Sequence, residues 1–118
     1  MKILIVDDDI AIREILKIML NGFEVIEADN GEDAVRIYEK IRPDIVFMDI
    51  VLPKMDGIEA TREILKIDPN AKIVGITAFE SKGEEMLKAG AVALLEKPIT
   101  KSKIFELIER VCGKALSR

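Results

Sequence analysis

Histidine is absent from these 118 residues, and cysteine occurs once, at Cys112. With no imidazole and a single thiol, the chain has no donor set suited to zinc, which takes nitrogen and sulfur ligands. One cysteine also allows no internal disulfide, which fits a reducing cytoplasm. Cys112 lies in a helix-like stretch and reads as a small buried apolar side chain. There is no basic arm or Lys/Arg cluster, and the net charge is −4. Direct nucleic-acid binding is not expected, because phosphate neutralisation needs clustered cations. Long hydrophobic runs are missing as well. The apolar run at the start covers only Ile3 to Val6, too short for a signal peptide or a membrane span, so a cytoplasmic protein without membrane attachment is expected. No linker, internal repeat or shift in composition divides the chain, which reads as one domain over residues 1–118.

Hydrophobic residues make up 49% and charged residues 34%, the balance of a globular chain able to bury a core without staples. The most informative stretch runs from Asp44 to Pro53. Ile45-Val46-Phe47-Met48 is unbroken, ends on the carboxylate of Asp49, and is followed by the Lys54-Met55-Asp56-Gly57 turn. A short apolar run between turn residues suits a strand buried on both faces, as parallel sheets require.

Four further strands are expected. Ile3 to Val6 ends in Asp7-Asp8-Asp9, Phe23 to Ala28 alternates, Ile73 to Ile76 ends at Thr77, and Val92 to Glu96 ends at Lys97-Pro98. Between them lie helical stripes: Ile12, Ile15, Leu16 and Met19; then Ala34, Val35, Tyr38 and Ile41; then Ile58, Ala60, Ile64, Leu65 and Ile67. A brief helix from Glu80 to Ala89 closes at Gly90, and Ile104, Leu107, Ile108 and Val111 stripe the last one. Asp9, Asn30 or Asp29, Asp56, and Thr100 or Ser102 are the expected helix caps. Asn21-Gly22, Arg42-Pro43 and Asp68-Pro69-Asn70 stop helices. Strict alternation of strand and helix with short links predicts an α/β fold, a three-layer doubly wound (βα)5 sandwich on a parallel sheet of order 2-1-3-4-5.

In that order Asp7 and Asp8 end strand one beside Asp49 at the end of strand three, with Thr77 and Lys97 ending strands four and five. Three neighbouring acids disfavour one another's ionisation unless a cation compensates, and an all-oxygen set selects Mg²⁺. A carboxylate, a hydroxyl and an ammonium around Mg²⁺ suit phosphoryl transfer, with a carboxylate attacking in line to give an acyl phosphate.

Ile3-Leu4-Ile5-Val6-Asp7-Asp8, Met48-Asp49 through Asp56-Gly57, Thr77-Ala78, Lys88-Ala89-Gly90-Ala91 and Lys97-Pro98 together resemble the receiver (CheY-like) domain of two-component response regulators, over essentially the whole chain. The resemblance implies phosphorylation at Asp49. It implies Mg²⁺ held by the side chains of Asp8 and Asp49, by Asp7 through water and by the Val51 carbonyl. Thr77 is then the hydrogen-bond donor to the phosphoryl group and Lys97 its ion-pair partner, with a cis Lys97–Pro98 bond. The phosphoryl group comes from a sensor histidine kinase or a histidine phosphotransfer protein. No output domain is expected after the last helix, so the signal is expected to leave by contact with a downstream protein, or by onward transfer in a phosphorelay. Such a chain acts on no substrate but itself and is expected to be monomeric when unphosphorylated.

Three features depart from the family pattern. The position three residues before Lys97, usually Tyr or Phe, is Leu94, which has no ring to turn inward on phosphorylation. Helices one and four are shorter than usual, and Gly83 inside helix four makes it marginal, so it is expected to be the most mobile element. The positions two after Asp49 and two after Thr77 are the apolar Val51 and Phe79, which cannot orient an attacking water, so slow self-dephosphorylation is expected.

Two other readings are weaker. A haloacid-dehalogenase phosphatase also uses an aspartyl nucleophile and Mg²⁺, but at the end of strand one with a Gly-Thr sequel, and Asp7-Asp8-Asp9-Ile10-Ala11 lacks it. A flavodoxin-like cofactor binder needs a Ser/Thr/Gly-rich loop after strand one, where this chain has acids that repel phosphate.

Overall fold

Five parallel strands form one sheet in the order β2-β1-β3-β4-β5: β1 (Lys2–Val6), β2 (Glu24–Ala28), β3 (Ile45–Asp49), β4 (Ile73–Thr77) and β5 (Ala93–Glu96). The computed structural model describes residues 1–78 and 80–113. Helices α1 (Ile10–Met19), α2 (Gly31–Ile41), α3 (Gly57–Ile67), α4 (Glu80–Ala89) and α5 (Lys101–Cys112) make the crossovers.

The strand period of two divides the core between the faces. Leu4 and Val6 of β1, with Val46 and Met48 of β3, pack toward Ala34 and Tyr38 of α2, Ile58 and Ile64 of α3, and Met86 of α4. Ile3 and Ile5, with Ile45 and Phe47, pack toward Leu16 of α1 and Ile104 and Ile108 of α5. Because both faces are covered, these strands read as continuous apolar runs.

Each described helix cap is a short polar side chain accepting a main-chain N–H. Asp9 accepts from Ala11 N at 2.9 Å, Asn30 from Asp33 N at 2.9 Å, Asp56 from Glu59 N at 2.9 Å and Thr100 from Lys103 N at 3.2 Å. Each satisfies an amide the helix cannot, a contribution of about 1 kcal/mol. The caps at α2 and α5 are thus Asn30 and Thr100, not Asp29 or Ser102.

The structure departs from the expected elements at the starts of β2 and β5 and in α1; β5 begins at Ala93, one residue later than expected, with Val92 50% exposed. β2 begins at Glu24, one residue later than the pattern predicts, and Phe23 turns its ring toward Phe105 of α5, with centroids 5.9 Å apart. β2 also fails to alternate, because Glu27 is half-buried under α1. In α1, Ile15 is 46% exposed: within this ten-residue helix only Leu16 is fully buried, with Ile12 packed partly against the core. Cys112 is half-buried against the α1–α5 side of the core, and burial pushes its thiol pKa up. No helix among the described residues is long and apolar enough to cross a membrane.

Candidate functional site

In a doubly wound sheet, sites form where the strand order reverses, here between β1 and β3. Asp7 follows the last residue of β1, and its N–H donates to Ala28 O at 3.1 Å, fastening it beside the end of β2. Asp7 is only 1% exposed; its Oδ1 accepts from Asp9 N at 2.9 Å, while Oδ2 is buried with no hydrogen-bond partner among the described residues. Asp8 beside it is exposed, and Asp49 is the half-buried last residue of β3. One carboxylate oxygen from each of Asp7, Asp8 and Asp49 lies within 4.8 Å of the others.

The electrostatics of this cluster are under-compensated. Burial, then the charge of Asp7, pushes the Asp49 carboxyl up to about 6, against the pull of Lys97 and of hydrogen bonds from the Ile50 and Val51 backbone. Burial likewise raises Asp7, with the charges of Asp8 and Asp9 adding to it; the Asp9 amide and Lys97 oppose the rise. An all-oxygen donor set and a buried carboxylate oxygen without a partner fit a hard divalent cation such as Mg²⁺.

On its other side Asp49 borders a cleft of about 300 Å³ whose walls include Val51, Thr77, Lys82 and Lys97. Thr77 ends β4 and is buried; Lys97 follows β5, and its N–H donates to Thr77 O at 3.0 Å, which ties the two strand ends together. The Lys97–Pro98 peptide is cis.

The loop from β3 into α3 closes tightly under Asp49. Gly57 N donates to Ile50 O at 2.7 Å, and a Cβ at Gly57 would stand 2.2 Å from the Asp49 carbonyl oxygen, so no side chain fits there. Val51, at the lip of the cleft, is 65% exposed.

Asp7, Asp8, Asp49, Thr77 and Lys97 therefore gather at one rim, with Asp49 common to the acid cluster and the cleft. Two residues nearby are not legible in the sequence motifs. Lys82 reaches the cleft from α4, and Arg13 of α1 donates to the Asp7 carbonyl. The available signal was helical phase: Lys82 lies within the first turns of the helix that leaves β4.

A family profile described as the response regulator receiver domain matches residues 3–109. The chain belongs to the response regulator receiver family. It is 44% identical over 115 residues to the chemotaxis protein CheY of Thermotoga maritima, covering 93% of this chain and 96% of that protein. The receiver domain of the sensor histidine kinase PA1611 from Pseudomonas aeruginosa, solved with a magnesium ion in its active-site cleft, superposes with a TM-score of 0.90 at 32% identity, covering 96% of this chain and 98% of that one. CheY of Borrelia burgdorferi, solved in a complex with CheX, BeF3 and Mg²⁺, gives 0.87 at 34% identity, covering 94% and 88%. This receiver shares their flavodoxin-like (βα)5 fold and is a response regulator of the two-component type.

Proposed function

We propose that residues 1–118 work as a single receiver domain that accepts a phosphoryl group on Asp49 in a Mg²⁺-dependent reaction. The observation that carries this is the double membership of Asp49, whose carboxylate joins the acid cluster on one side and the Thr77–Lys97 cleft on the other. Asp8 and Asp49 would hold the metal through their carboxylates, Asp7 through water and Val51 through its carbonyl. Bound Mg²⁺ supplies the positive charge that makes a phosphoryl group tolerable among three acids.

The donor is a phosphohistidine on a sensor histidine kinase or a histidine phosphotransfer protein. Asp49 forms a bond to phosphorus as the P–N bond breaks, and the departing imidazole takes a proton from solvent. The Thr77 hydroxyl donates to a phosphoryl oxygen, and the Lys97 ammonium pairs with another. The receiver acts on no separate substrate. Its output is a population shift between two surface arrangements, read by a downstream protein. Partnership with another protein is supported by the Borrelia relative, which was solved in complex with CheX.

Intact-mass spectrometry after incubation with acetyl phosphate and Mg²⁺ tests the chemistry. One added phosphoryl group is expected on the wild-type chain and none on D49N or on chelator-treated protein. Undiminished labelling of D49N would move the acceptor elsewhere and end this reading.

A further inference from the structure

We propose that Arg13 is a positioning residue for the acid cluster, acting through the main chain of Asp7. The inference rests on the reading of Asp7, Asp8 and Asp49 as a divalent-cation site. Arg13 lies in α1 immediately above the end of β1. Its Nη1 donates to the Asp7 carbonyl oxygen at 2.7 Å, and its Nε donates to Glu27 Oε1 at 2.9 Å. That carbonyl belongs to the peptide joining Asp7 to Asp8, so one guanidinium holds the plane between two of the three acids.

The other bonds around Asp7 complete the grip. Its N–H donates to Ala28 O, and its Oδ1 accepts from Asp9 N. Main-chain nitrogen, main-chain oxygen and one carboxylate oxygen are each committed, and Oδ2 is the oxygen left for a ligand.

Glu27, the residue before Ala28 on β2, keeps the guanidinium in place. Its second oxygen takes Lys17 Nζ at 3.1 Å. Burial opposes the charge on Glu27, but the hydrogen bonds from Lys17 and Arg13 more than offset it and hold its carboxyl below the ordinary range. Exposed ion pairs contribute little, whereas here the Arg13 and Glu27 side chains are 15% and 31% exposed and a second guanidinium donor goes to the backbone of the site. The planar fork of arginine serves both acceptors at once in fixed geometry, which a lysine ammonium does not. Outer groups that orient ligands in this way set metal affinity by factors of about 10 to 100.

The test is Mg²⁺ titration of the full chain by calorimetry for wild type, R13A, R13K and E27Q, with thermal unfolding and ¹⁵N amide spectra of each. The expected result is a Kd for Mg²⁺ weakened about tenfold or more in R13A, with smaller losses in R13K and E27Q. In the metal-free Arg13 variants the Asp8 amide resonance, whose nitrogen shares the held peptide, moves. If R13A does not fold, R13K and E27Q carry the test. Lower melting temperatures with unchanged Mg²⁺ affinity in the folded variants would make Arg13 a fold-holding contact and overturn the proposal. A wild-type chain that binds no Mg²⁺ would instead overturn the cation-site reading, and the proposal with it.

Discussion

Leu94 of β5 holds its Cδ1 2.8 Å from the place where a Cβ on Gly83 of α4 would stand, and Thr77 Cγ2 is 3.7 Å from the same place. Helix, edge strand and cleft threonine thus meet at one aliphatic point. Alanine at residue 83 would favour the helix by about 1 kcal/mol, yet Leu94 must move to admit it. With L94A already present, G83A is expected to stabilise the protein by about 1 kcal/mol; in the wild-type background it gains less. A double-mutant cycle by urea denaturation should show coupling of at least about 0.5 kcal/mol. Strictly additive values would mean that Leu94 does not fill the gap.

α4 has ten residues and carries Gly83, and its Leu87 is exposed while Met86 is buried. With so little anchoring, its amides are expected to open locally. Hydrogen exchange at Glu84 to Leu87 should be faster than at Ile5, Phe47 and Val74. Protection equal to that of the strand centres would refute this.

Asp49 titrates near 6 because burial and the Asp7 charge disfavour its ionised form. In the unfolded chain the same carboxyl ionises near 4. Between those values the folded state binds the extra proton, so metal-free stability falls as pH rises through that window. D49N escapes this loss. Without metal it should exceed the wild type in stability by on the order of 2 kcal/mol near neutral pH, and the advantage should vanish near pH 4. Urea unfolding in chelator across that range is the measurement; a constant difference would contradict the sign.

Val51 stands exposed at the lip of the cleft, and its side chain has no polar group to orient a water molecule. V51N is expected to shorten the life of the phosphorylated form several-fold, followed as phosphate release after removal of the donor. An unchanged rate would dismiss Val51 as a barrier to hydrolysis. The companion expectation for Phe79 falls outside the described residues.

Much of the fold was legible because the central strands are buried on both faces. β1, β3 and β4 announce themselves as apolar runs, and each run stops at a polar residue that lands at the rim. What the pattern missed lies where one element covers another. Glu27 is an acid on the same strand face as the apolar Phe23 and Val25, and it is accommodated there because Arg13 and Lys17 reach over it. Thr61 looks like a polar interruption in α3, yet it is buried with its hydroxyl donating to Gly57 O at 2.7 Å. Ile15 belongs to the expected core stripe of α1, yet it is 46% exposed, because the packing of a short helix decides which of its apolar side chains are covered. At the site, the strand-end residues were readable from position, whereas Arg13 and Lys82 reach in from neighbouring helices whose tilt no local motif encodes.

The ammonium that offsets Asp7 and Asp49 comes from Lys97, at the far end of the chain from Asp7. Asp7 and Asp8 are encoded near the start of the chain and the balancing cation near its end, so the rim is complete only with β5 at the edge of the sheet. A nascent or nicked chain that lacks that strand carries the acids without their counterweight. The balance of charge at the rim is thus shared between the first strand and the turn after the last one.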